Sequence, residues 1–246
     1  MSAFDELVAH PGVGRRFQRA VMAGLADAAP GGRVRLDALA RWLQDAALED
    51  VVDAGLGETA LWVVRRTRLA VTRFPRFGEA ATVRTWASGV GRMWAQRRTT
   101  ITTAEGGRIE AVALWVHLDP DGGRPTPLTA QELEVYGPST AGREIKARLR
   151  HPGPPEGAAA RPWTFRRTEA DVADHINNAA YWAPLEEELL ARDAEPAALD
   201  VELEYRTPGQ PGPHTVIADG THRWVVDDGA GDVRASFRLA GLDGEG

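Results

Sequence analysis

At 246 residues, 43% hydrophobic and 26% charged, the chain has the composition of a globular protein, long enough for one large domain or two small ones. The lack of cysteine excludes disulfides, thiolate metal sites and a cysteine nucleophile, and the net charge of -6 argues against broad nucleic-acid binding. No apolar run is long enough to span a membrane, and the opening M-S-A-F-D-E-L lacks the basic-then-apolar pattern of a secretion signal, so a cytoplasmic location is expected.

The first element is a short strand at R-R-F-Q-R-A-V from Arg15, followed by a turn through Pro30, Gly31 and Gly32. Leu36, Leu39, Leu43, Ala46, Ala47 and Val51 then share one face of a helix that stops at Gly55. Four segments rich in β-branched and aromatic residues follow, W-V-V-R-R-T-R-L-A-V, A-T-V-R-T-W-A, A-Q-R-R-T-T-I-T-T and R-I-E-A-V-A-L-W-V-H-L. Turns at Pro75, Gly78, Gly89 and Glu105 to Gly107 separate them, which predicts an antiparallel meander. Trp42, Trp62, Trp86, Trp94 and Trp115 fall in this unit. They read first as core, and a sheet around an apolar helix is also a natural bed for an acyl chain.

From Asp119 to Arg161, proline and glycine become frequent, as in an inter-domain linker. Its basic run R-E-I-K-A-R-L-R-H, which holds the only lysine, Lys146, is either a solvated face or a docking strip for an acidic partner. The plan of the first unit then recurs: strand, helix and two hairpins, with Pro75 aligning with Pro208 and Val83 with Val216. The boundaries implied are residues 1–135, a linker over 136–160, and a second unit over 161–246. Pro184 is expected to kink the second helix.

The chemistry concentrates between Arg166 and Glu187, where acids, a histidine and two asparagines run directly into an apolar helix. Ala179, Trp182, Leu185, Leu189 and Leu190 mark its face, and Asn177 or Asn178 can cap its start. Unpaired N–H groups at such a start stabilise an oxyanion or a carboxylate. No phosphate loop, dinucleotide fingerprint, zinc spacing or serine elbow is present, so no cofactor or metal is expected. What remains is acid/base chemistry by Asp171 and His175, with Asn177, Asn178, Glu169 or Glu187 as further candidates. The carboxylate could either attack a carbonyl or activate a water.

Taken in order, L-Q-D-A-A at Leu43, F-P-R-F-G-E, T-W-A-S, R-R-T-T-I-T-T-A-E-G-G, L-W-V-H-L-D-P, D-V-A-D-H-I-N-N-A-A-Y and L-E-Y-R resemble the acyl-acyl-carrier-protein thioesterases. The resemblance covers most of the chain from Arg15. It implies an α+β fold of two tandem hotdog domains, each an antiparallel sheet wrapped around a long helix, with catalytic residues in the second. Asp171 and His175 match the family's catalytic Asp and His, and Asn177 and Asn178 match its asparagine pair, expected at the substrate. Ala173 stands in place of the family's Asn. Its later Glu falls near Pro208, and Gly209 occupies a position that is often Cys. The implied activity is hydrolysis of a fatty acyl thioester on acyl carrier protein, in a monomer of fused hotdogs or a homodimer. Action on acyl-CoA, or a degenerate protein that binds acyl chains, are the alternatives.

Overall fold

The computed structural model describes residues 6–57, 61–119 and 121–242. Residues 1–5, the first part of the opening stretch, lie outside the described residues. Ten strands form one sheet: β1 (Phe17–Met22), β2 (Leu61–Arg73), β3 (Ala80–Val90), β4 (Trp94–Thr103), β5 (Arg108–Leu118), β6 (Ala159–Phe165), β7 (Leu199–Tyr205), β8 (Gly212–Asp219), β9 (His222–Asp227) and β10 (Val233–Leu242). Their order is β1-β3-β4-β5-β2-β7-β10-β9-β8-β6, two five-stranded units of the same plan joined where β2 pairs antiparallel with β7, from Arg66 opposite Glu204 to Val71 opposite Leu199. Of the four segments read as a meander in the first unit, only β3, β4 and β5 form one, as β8, β9 and β10 do in the second. β2 crosses to pair with β5, because its other edge is needed at the seam.

Helix α1 (Leu36–Asp53) buries the stripe its spacing predicts, with Leu36, Leu39 and Ala46 fully inaccessible. Each buried leucine contributes on the order of 2 kcal/mol. One apolar core runs through both units, from α1 to the second unit's Trp182, Leu185 and Leu189. This is the tandem hotdog arrangement.

Two local features differ from expectation. The second long helix is a short 3-10 turn, Ala180–Trp182, followed by α3 (Ala183–Leu190); α2 (Ala130–Tyr136) comes earlier in the chain. Pro184 therefore sits in the first turn of α3, where its missing N–H has no helical partner to lose, and it starts the helix rather than kinking it. In addition, α2 lies in the stretch read as linker, held by a capping box between Thr129 and Glu132.

The outer face of the seam is polar. Arg66, Arg68, Glu202 and Glu204 are all buried there, and Glu6 pairs with Arg66 at 2.7 Å. Residues 143–151 cross this face as an extended strap. The Arg150 and His151 N–H groups donate to Glu204 at 2.6 and 3.1 Å, and the carbonyl of Ile145 accepts from the Trp94 indole at 2.8 Å. Its inward residues are half-buried, while Lys146, Arg148 and Arg150 face out. Burial alone would raise the Glu202 carboxyl, but the hydrogen bond from His151 and the charges of Arg66 and Arg238 hold it below the ordinary carboxylate range. No helix among the described residues is long and apolar enough to cross a membrane.

Candidate active site

Each unit enters its helix through the same tight hairpin. In the first, Ala29 N–H donates to Arg33 O, Gly32 N–H to Ala29 O, Arg35 N–H to Asp27 O and Val34 N–H to Pro75 O. In the second, Asp171 N–H donates to His175 O, Asp174 N–H to Asp171 O, Asn177 N–H to Glu169 O and Ile176 N–H to Gly209 O. The left-handed backbone at Gly32, φ 88°, recurs at Asp174, φ 56°, a residue type that tolerates it. The repeat is thus one residue out from the sequence alignment: Pro75 matches Gly209, not Pro208. Asp171 stands where the first unit has Ala29, and His175 where it has Arg33. One scaffold is kept twice and carries an Asp/His pair once.

The four residues singled out by sequence fall into two groups. Asp171 and His175 sit on the hairpin, both half-buried, and no hydrogen bond joins their side chains. Asp171 Oδ1 accepts from the Ala173 N–H at 2.9 Å, which fixes the carboxylate and leaves Oδ2 open. Asn177 Oδ1 caps the following turn by accepting from Ala179 N–H at 2.8 Å, and Gln44 of α1 reaches it at 3.5 Å. Asn178 lines a cavity with Gln44. Its carbonyl accepts from the Tyr205 hydroxyl at 3.1 Å, and that hydroxyl in turn accepts from the Trp182 indole at 3.0 Å. Burial raises the Tyr205 phenol well above its ordinary value and pushes Tyr181 up to about 12, so both remain neutral donors. Glu169 and Glu187 belong elsewhere, to an open groove with Trp163, Arg166 and Arg35.

The cavity lies between α1 and the inner face of β2, β5 and β4. Ala40, Leu43, Val64, Ala111, Ala113 and Trp115 make its apolar wall. Counting on from the matched hairpins, Ala40 corresponds to Trp182 and Gln44 to Glu186. Trp182 is fully buried against Phe237, ring centroids 5.7 Å apart, and fills the second unit where small residues leave the first one open. The cavity holds about 20 Å³, room for one water, so a chain enters only as its lining side chains yield.

The same correspondence exposes an asymmetry at the helix starts. Glu186 accepts from the Leu36 N–H at 3.0 Å while paired with Arg33. The matching N–H is that of Asn178, and it has no hydrogen-bond partner among the described residues. Sequence reading missed Gln44 and Tyr205 as members of this site, although both lie inside quoted motifs, L-Q-D-A-A and L-E-Y-R.

The family profile described as the acyl-ACP thioesterase N-terminal domain matches residues 14–136. The uncharacterized protein Rv2001 of Mycobacterium tuberculosis is 30% identical over 217 residues, spanning 85% of this chain and 86% of that one. Among solved structures, an acyl-ACP thioesterase from Bacteroides thetaiotaomicron superposes with a TM-score of 0.74 at 18% identity, covering 91% of this chain and 96% of its own. The 12:0-ACP thioesterase from Umbellularia californica gives 0.71 at 20% identity, covering 93% and 98%. At these identities the superpositions speak for the fold, and the profile for the family. The chain belongs to the acyl-ACP thioesterases, a family of thioester hydrolases.

Proposed function

We propose that this chain hydrolyses fatty acyl thioesters of acyl carrier protein at the 170–178 hairpin, with the acyl chain lying in the first unit's cavity. The observation that carries this is the open N–H of Asn178, a residue of the cavity wall, whose counterpart at the same backbone position of the first hairpin, the Leu36 N–H, is capped by Glu186. The thioester carbonyl sits against that N–H, which receives the oxyanion. Asp171, through Oδ2, takes a proton from the attacking water, and His175 orients the water or substrate. Collapse of the tetrahedral intermediate breaks the C–S bond. The carrier's sulfur leaves as a thiol, taking back the proton, and the free fatty acid remains. Asn177 holds the turn that aims the Asn178 N–H.

Asp171 and His175 act without the family's Asn and Glu, since Ala173 and Pro208 replace them. The exposed Lys146, Arg148 and Arg150 of the strap suit the acidic carrier. A cytoplasmic role in fatty acid biosynthesis belongs to the same proposal. Thiol release by the purified chain, measured over a range of acyl lengths on acyl carrier protein and on CoA with Asp171→Ala as control, tests it. Faster turnover on the carrier protein, lost in the variant, supports the reading. Acyl binding without thiol release would leave an acyl-binding hotdog protein, and equal rates for parent and variant would remove Asp171 from the chemistry.

A further inference from the structure

The cavity has a second chemical character. Away from Asn178 and Tyr205, which Thr67 adjoins, its lining turns polar again, with Arg97 and Thr99 on β4 beside the β5 residue Trp115. Arg97 points inward from β4, in one row of the sheet with Thr67 and Ala113. One of its terminal nitrogens donates to Asp50 Oδ2 at 2.5 Å and lies 3.4 Å from Thr85 Oγ1. Asp50 is fully buried and also accepts from Arg15 at 2.6 Å, so the Arg97 charge is balanced, and its guanidinium lies over the Tyr136 ring, 5.4 Å from the centroid, with only part of its donor fork taken up. The Trp115 indole N–H is buried without a partner.

Those groups are donors, and a hydrocarbon chain offers them nothing. An unsubstituted acyl group entering here would bury a guanidinium edge and an indole N–H against methylenes, the case in which a polar site discriminates most strongly against the ligand that lacks its partner. The ligand therefore brings an acceptor. Because Asp50 already balances Arg97, a neutral oxygen fits better than a carboxylate. Its place along the chain follows from the sheet: β7, which carries Tyr205, and β4, which carries Arg97, are separated by β2 and β5. Three strand spacings amount to roughly 14 Å.

We infer that the acyl group taken by this cavity bears a hydroxyl or keto oxygen toward its far end, received by Arg97 and the Trp115 indole, so that Arg97 is a specificity-determining residue. This rests on the proposed function for the identity of the acyl thioester, and on the cavity alone for the oxygen.

The test compares thioesters matched in length, unsubstituted, hydroxylated next to the thioester, and hydroxylated or oxidised to a ketone near the far end, by thiol release from the full chain. The far-end oxygen is expected to raise kcat/KM by about tenfold or more over the unsubstituted chain. Arg97→Met should bring the ratio close to one. If Arg97→Met alone leaves Asp50 undercompensated and fails to fold, the double variant Asp50→Asn/Arg97→Met removes both charges and gives the same readout. A parent that treats the matched chains alike or prefers the unsubstituted one overturns the inference, as does a variant that keeps the preference. If no thioester is cleaved, the proposed function falls, and calorimetric binding of the matching non-hydrolysable acyl amides decides the inference: tighter binding of the oxygenated chain, lost with Arg97, sustains it, and equal binding overturns it.

Discussion

Arg33 grips Glu186 through both terminal nitrogens, at 3.2 and 2.7 Å, and one of those carboxylate oxygens also caps the Leu36 N–H. The pair spans the two units and is almost wholly buried, with Arg33 further bound to Glu195 at 2.5 Å. It clamps the start of α1 to α3 at the place where the second unit leaves its own matching N–H open.

Removing Glu186 leaves buried Arg33 with Glu195 alone and uncaps the Leu36 N–H. Glu186→Ala is expected to cost about 3–5 kcal/mol in denaturant unfolding, whereas Arg33→Met/Glu186→Leu together should recover most of it. A double variant as unstable as the single one would mean that the cap on Leu36, and not the ion pair, holds the two units.

Asp171 has a structural and a chemical task that substitutions can separate. Asp171→Asn keeps an oxygen for the Ala173 N–H and removes the base, so thiol release should fall by about a hundredfold or more with little change in stability. Asp171→Ala should lose as much activity and additionally loosen the hairpin, visible as faster amide exchange at Ala173.

Gly209 is constrained by its neighbours. A side chain there would meet Ile176 Cδ1 at 3.0 Å and the Tyr181 hydroxyl at closer range still. Gly209→Cys should therefore destabilise by about 1–3 kcal/mol, and Tyr181→Phe, which removes the obstructing oxygen, should return much of it. Unchanged stability in the single variant would show that the hairpin shifts freely.

Ala40 keeps the first unit's cavity open where Trp182 closes the second. Ala40→Leu should depress kcat/KM for longer acyl chains relative to shorter ones and cost about 1–3 kcal/mol through overpacking. An unchanged length profile would put the acyl chain elsewhere.

The depressed Glu202 carboxyl sets a pH dependence. Its folded value lies below the unfolded one, so the stability it contributes is present in full above the unfolded value and is lost as pH falls through the folded value. The difference in unfolding free energy between parent and Glu202→Gln should accordingly shrink as pH falls through the carboxylate range. A difference that grew on acidification would reverse the assignment.

The sheet and α1 were legible because period-two and helical patterning carry them directly. The order of strands was not, since nothing in β2 itself says that its free edge will be taken by β7. α2 had a readable signal, the Thr129-x-x-Glu132 capping box, masked by proline and glycine around it. The Asp171 to Asn178 hairpin stood out as a polar cluster, yet its position depends on backbone bonds to Glu169 and Gly209 that have no side-chain signature. Gln44 and Arg97 were hidden for a related reason: among the several polar residues of α1 and of β4, only the fold tells which one turns inward.

The seam between the units carries a rule of assembly. β2 brings Arg66 and Arg68 to it and β7 brings Glu202 and Glu204, facing each other in register. Two copies of the first half pairing through β2 would set arginine against arginine, and two copies of the second half would oppose glutamates, both disfavoured for cross-strand neighbours. Only the mixed pair neutralises itself. The fused halves thus recognise each other by charge, which steers a newly made chain to close on itself before its exposed strand edges meet those of another.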